Sequence, residues 1–168
     1  MWTDATIWLA LVTYVTSEMA HAGFWPRESP TRYRWARLLM TVSLLFYILH
    51  VLSAFAFHHD WSHAAAYDYT AQVTAAFTGI RSGGGIFVNY GFSALWLSET
   101  IWWWASPDTY RSRSLFAHRL VRGIFLFMIV NGAVVFVDGP MRWVGVGTVG
   151  ILIWAWAGSR SRSSVETS

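Results

Sequence analysis

The sequence predicts an all-α integral membrane protein: a five-transmembrane-helix bundle with an extra amphipathic interfacial helix on its outer side. Three observations predict it. The 168-residue chain is 55% hydrophobic and 12% charged, against roughly 25% charged in soluble domains. Five apolar stretches approach the roughly 20 residues that a helix needs to cross a hydrocarbon core about 30 Å thick. Twelve tryptophans fall mostly where those stretches begin or end, as in an interfacial aromatic belt.

The expected spans run from Ala5 to Phe24, Trp35 to Phe57, Gly85 to Trp104, Leu115 to Val137 and Met141 to Ala157. Each should be helical, because a lone strand leaves its backbone groups unsatisfied in lipid. Asp4 is placed to cap the first span, and the third ends in Trp102-Trp103-Trp104. The first span carries Glu18 and His21 and lacks a basic leader, so it reads as a retained helix and not as a cleaved signal. Between Phe57 and Gly85, the segment from Trp61 to Thr78 has a helical pattern. Trp61, Ala65, Ala66, Tyr69, Val73, Ala76 and Phe77 fall on one face. Asp60 is the expected N-cap and Gly79 the stop. Residues 1–157 form one domain in this reading, and the Ser/Arg-rich 158–168 form a disordered cytoplasmic tail.

Charge placement orients the bundle. Arg27, Arg32, Arg34, Arg37, Arg111, Arg113, Arg119, Arg122, Arg160 and Arg162 fall on one side, and Arg81 and Arg142 on the other. The positive-inside rule then predicts a bacterial inner membrane protein with its N-terminus outside and its C-terminus cytoplasmic.

Ionisable groups inside spans are costly, so they are the first candidates for function. At 1.5 Å rise per residue, Glu18 and Glu99 lie about 9 and 8 Å from the cytoplasmic ends of their helices. His21 is one turn from Glu18 on the same face, and His118 opens the fourth span near that level. Glu18, His21, Glu99 and His118 are therefore expected to form an inner polar layer. Such a layer suits a metal, a proton-accepting pair, or a quinone or haem pocket; alternatively, the carboxylates bond hydroxyls or Arg119 and Arg122. A single Glu-x-x-His is too little for a di-iron centre. His50, Asn89 and Asn131 share a greater depth and form an expected outer layer, as an interhelical hydrogen-bond cluster or a haem b or quinone contact. Outside, His58, His59, Asp60 and His63 form a candidate zinc or copper site. His59 and His63 are spaced i, i+4, which puts two imidazoles on one helical face.

Cysteine is absent, which excludes iron–sulfur ligation and covalent c-type haem attachment by this chain. No phosphate-loop, dinucleotide or nucleophile-elbow motif occurs in the sequence. The arginines follow topology, which argues against nucleic acid as a partner. Trp61-Ser62-His63, Thr70-Ala71, Gly83-Gly84-Gly85, Asn89-Tyr90 and Trp102-Trp103-Trp104 lie between His50 and Trp104. That stretch resembles a family of small polytopic bacterial inner-membrane proteins, and the resemblance implies no activity. The expected role is an accessory or structural subunit of a larger membrane assembly, with lipid and other membrane subunits as partners. A metal- or haem-binding electron-transfer protein is the alternative, and a proton-linked transporter using Glu18 and Glu99 is the second.

Overall fold

All regular structure in the computed structural model, which describes residues 2–25 and 29–165, is helical. The elements are α1 (Trp2–His21), α2 (Ser29–His58), α3 (His63–Thr78), α4 (Gly85–Ala105), α5 (Pro107–Arg111), α6 (Leu115–Val130) and α7 (Met141–Val165). A π-helical turn, Asn131–Val135, continues α6.

The five-span expectation is overturned. Among the described residues, two helical stretches are long and apolar enough to cross a membrane, Pro30–His58 and Leu115–Val135. The other three long helices count as apolar only through residues of weak hydropathy. Tryptophan and tyrosine prefer the interface to the hydrocarbon core, and α4 carries Tyr90, Trp96, Trp102, Trp103 and Trp104 besides Asn89 and Glu99. α1 adds Thr3, Thr6, Thr13 and Thr16, and α7 adds Arg142 and a series of glycines.

α1 and α2 form the most extensive helix pair. They run antiparallel: Thr3 lies beside His58 at one end and Ser17 beside Ala36 at the other. Small residues set their closeness. Ser17 Oγ donates to the carbonyl of Ala36 at 2.7 Å, and Ser43 Oγ donates to that of Ala10 at 2.5 Å. All four residues are buried. Each helix thus presents an alanine and a serine seven residues apart. Such small side chains let backbones approach, and serine bonds between helices replace a hydrophobic drive that lipid cannot supply. Further contacts join α2 to α4, α4 to α6, α6 to α7 and α7 to α1, closing a ring around an aromatic core. There Phe125 stacks on Tyr14 at 4.7 Å and meets Trp96 edge-on at 5.0 Å, while Trp96 stacks on Tyr47 at 4.9 Å. Such pairs add about 0.5–1.5 kcal/mol each beyond area burial.

The surface helix is α3, starting later than expected. Its N-cap is Ser62, whose side chain accepts from the Ala65 N–H, while Gly79 stops it at φ 74° as expected. Ala66 and Ala71 are the buried residues, while Tyr69 and Phe77 are exposed. Gly83 is required where the chain turns back, because a side chain there would overlap the Tyr67 ring and carbonyl. α7 continues to Val165, so helix replaces the expected disorder from Gly158 onward; the last part of that tail, 166–168, and Arg27 lie outside the described residues.

Candidate functional site

The arginine-rich end of the bundle gathers the polar groups. Glu18 and Glu99 are buried there, and each is held by its own arginine. Arg122 donates to Glu18 through Nε at 3.1 Å and Nη2 at 2.9 Å, and Trp156 Nε1 donates to the same oxygen at 2.6 Å. Arg113 Nη1 donates to Glu99, and the Tyr110 hydroxyl donates to the same oxygen at 3.1 Å. The Arg113 and Glu99 side chains are only 6% and 7% exposed. Burial pushes the Tyr110 phenol above its ordinary value, Arg113 opposing and Glu99 adding to the shift, so it serves as a neutral donor.

His21 and His118 face each other with ring centroids 5.7 Å apart. His21 also meets Tyr33 and Trp103. Arg113 Nη2 lies 2.9 Å from His118 Nδ1. A guanidinium can only donate, so Nδ1 accepts and the His118 ring proton sits on Nε2. A cavity of about 290 Å³ opens among His21, Tyr33, Tyr110, Arg111, Arg113, Leu115 and His118. A wider hollow of about 500 Å³ lies along one face of α2, from Pro30 to Leu38, and joins no second element.

The expected inner layer is therefore one neighbourhood, linked through Arg113 and the paired histidines. The two carboxylates do not share a proton, because separate arginines neutralise them. His118 turns inward to His21, and Arg119 is exposed. Sequence reasoning missed Arg113, Arg111, Tyr110 and Tyr33, having treated 105–114 and 25–34 as connections. The signal was present: Ser106-Pro107-Asp108 matches a helix start with proline in the first turn and an acidic residue beside it.

The expected outer layer does not assemble. His50 Nδ1 lies 2.8 Å from the Thr3 carbonyl, Asn131 donates to the Phe127 carbonyl of its own helix, and Asn89 is exposed. Tyr47 instead bonds Ser93 across α2 and α4 at 2.8 Å.

The expected zinc or copper site is also dispersed; among the described residues no three metal-binding side chains come together. The reason is backbone geometry. The Trp61 N–H donates to the Phe55 carbonyl, while Asp60 takes the left-handed conformation at φ 47°. That seven-residue closure, with Asp60 and Trp61 both left-handed, ends α2 in a reversal of the chain. Asp60 is thus a helix stop and not an N-cap. His59 lies just past the end of α2, and His63 opens α3. His58 faces Thr3 at 3.5 Å, His59 packs on Phe55 and Tyr69, and His63 Nδ1 bonds the Tyr90 hydroxyl at 2.9 Å.

No protein-family model matches the chain, and no curated protein or solved structure matches it.

Proposed function

We propose that the protein is a small integral membrane protein, an accessory or structural subunit of a larger membrane assembly, whose most apolar lipid-facing helices are α2 and α6 with its π turn. One observation carries this reading: the bundle leaves large apolar side chains exposed along its two most apolar helices while burying several polar groups beside its aromatic core. Its interior holds Glu18, Glu99, Ser17, Ser43 and Thr100. Its outside shows Leu45, Leu49 and Leu52 on α2, Leu120 and Phe127 on α6, and Ile151 and Ile153 on α7. Only 22% of the most apolar window of Pro30–His58 and 11% of that of Leu115–Val135 are buried. A helix from the core of a soluble domain would be mostly covered. An exposed apolar surface of this extent needs lipid or another subunit against it.

The orientation follows from charge. Arg32, Arg34, Arg37, Arg111, Arg113, Arg119 and Arg122 cluster at the end holding the cavity. At the other end Arg81 and Arg142 are each paired, with Asp68 and Asp138. The arginine-rich end then faces the cytoplasm in a bacterial inner membrane. Capture of both buried carboxylates by arginine favours a structural role for them over proton-coupled transport.

Alkaline carbonate extraction of membranes, followed by mild-detergent purification, tests the reading. The chain is expected in the carbonate-resistant pellet and, after solubilisation, in a complex heavier than its own mass. Release into the carbonate supernatant would overturn membrane insertion. Quantitative recovery as a free monomer would overturn the subunit role.

A further inference from the structure

We propose that the cavity bounded by His21, Tyr33, Tyr110, Arg111, Arg113 and His118 binds a phosphate ester group, carried by a lipid headgroup or by a soluble molecule. The lipid source rests on the membrane reading above; the anion site itself does not.

The walls supply donors, and their acceptors are already used. Arg113 fixes His118 as the tautomer with its proton on Nε2, as argued above. Arg32 Nη2 donates to the Tyr33 hydroxyl oxygen at 3.2 Å, which leaves the Tyr33 hydroxyl hydrogen free to donate elsewhere. Tyr110 and Arg113 occupy the same Glu99 oxygen. Glu18 faces Arg122 and Trp156. Asp108 holds Arg111 from the solvent side.

Charge is left over. Arg32 forms no ion pair among the described residues, and its guanidinium sits against Tyr33 of the cavity wall. Arg32 and Arg111 both lie over the Tyr33 ring, at 4.8 and 5.1 Å. A ligand with several acceptor oxygens and negative charge compensates the Arg32 guanidinium beside the wall, whereas a neutral carbonyl compound leaves it uncompensated. The phosphate group has that chemistry, and arginine is well suited to it.

The surroundings suit an amphiphile. Leu115 lines the cavity, and Phe116 beside it is exposed, giving an apolar lip where an acyl chain could lie. Basic pockets between helices at the cytoplasmic side are known sites for anionic headgroups. The cavity of about 290 Å³ is near the lower limit of ligand pockets, roughly 300 Å³, which fits a headgroup better than a large ring cofactor.

The test uses the full chain in detergent. Native mass spectrometry compares retention of phosphatidylglycerol with that of phosphatidylcholine, and calorimetry measures binding of glycerol 3-phosphate. Arg111→Gln and Tyr33→Phe each remove a wall group while leaving both buried ion pairs intact; Arg34→Gln on the outer face of α2 is the control. We expect Arg111→Gln to weaken binding about tenfold, the equivalent of about 1.4 kcal/mol, and Arg34→Gln to leave it unchanged. Retention of phosphatidylglycerol alone identifies the lipid source; binding of glycerol 3-phosphate identifies a soluble one. Neither binding, or equal loss in the Arg34 and Arg111 variants, overturns the site. Carbonate extraction of the same cells separates the two ideas. A carbonate-released chain that still binds glycerol 3-phosphate sinks only the membrane reading, and a membrane-retained chain that binds neither sinks only this one.

Discussion

Replacing Gly145 with alanine should separate α7 from the π turn and cost most of the stability held in that contact. A methyl group on Gly145 would lie 2.0 Å from the Ala133 carbonyl oxygen and 2.7 Å from its carbon. Ordinary contact begins near 3.4 Å, so the two backbones would have to part by about 1.4 Å in a structure that resists overpacking. Both partners are main chain, so no side chain can swing aside. The present closeness places a Gly145 Cα hydrogen against that carbonyl, a contact worth about 0.5–1 kcal/mol. Overpacking adds about 1–3 kcal/mol, the upper part of the range applying to rigid backbone. Alanine returns up to about 1 kcal/mol of helix propensity. The net loss is about 2–3 kcal/mol. Gly147→Ala and Gly150→Ala provide the comparison, because a methyl at either position meets nothing within 4 Å; they gain propensity without a clash. Detergent-unfolding midpoints followed by helical circular dichroism should therefore place Gly145→Ala about 3–4 kcal/mol below Gly147→Ala, a difference in which propensity cancels. Equal midpoints for the two variants would refute the packing argument.

Four further outcomes follow from the same geometry. Glu99→Gln should destabilise the chain by about 3–5 kcal/mol, since it leaves the buried Arg113 charge unpaired, whereas Asp108→Asn at the exposed end of its pair should cost under about 1 kcal/mol; unfolding midpoints of the two variants check this. Ser17→Ala and Ser43→Ala should each cost about 0.5–2 kcal/mol by the same assay, and a negligible effect of both would contradict the proposed α1–α2 seam. Simultaneous alanine substitution of His58, His59 and His63 should leave zinc and copper content unchanged in elemental analysis, because His63 turns to Tyr90 and no three donors gather among the described residues. The raised Tyr110 phenol keeps its proton in the folded state after the unfolded chain has lost it. Its contribution is therefore intact below about pH 10, the ordinary tyrosine value, and is lost as pH rises from there through the folded value. Tyr110→Phe should flatten that alkaline loss in a stability–pH profile.

What was legible in the sequence was periodicity and depth; what was hidden was hydropathy per residue and three-dimensional turning. Counting 1.5 Å per residue brought Glu18, His21, Glu99 and His118 to one level, and they do meet at one end of the bundle. Depth alone could not say which arginine would reach which carboxylate. Arg122 was among the candidates for a carboxylate and holds Glu18; Arg113 sits in a connection and had no helical phase to place it. Equal depth misled for His50, Asn89 and Asn131, because depth fixes height but not facing, and their side chains point to different neighbours. The i, i+4 spacing of His59 and His63 assumed a continuous helix, and two left-handed residues, Asp60 and Trp61, remove that assumption. Counting the length of each stretch without weighing its hydropathy admitted α1, α4 and α7 as spans, although threonines in α1, aromatics and polar groups in α4 and glycines in α7 lower it.

The buried charges explain how helices of modest hydropathy stay in the bundle. α1 and α7 meet over Glu18, which draws Arg122 from α6 and the Trp156 ring nitrogen from α7. α4 reaches back through Glu99 to Arg113 and Tyr110 in the connection that follows it. Each carboxylate is thus a junction between elements, and each junction is locally neutral. Neutral junctions leave Arg32, which has no acid partner among the described residues, beside the cavity wall. Positive charge therefore remains at that end because the inward-facing carboxylates are already satisfied by other arginines. Removing Glu18 and Arg122 together should consequently leave the cavity's anion preference unchanged while loosening α1 from α6 and α7. If the double variant lost glycerol 3-phosphate binding while remaining folded, the cavity's charge would have to come from Arg122 and not from the wall.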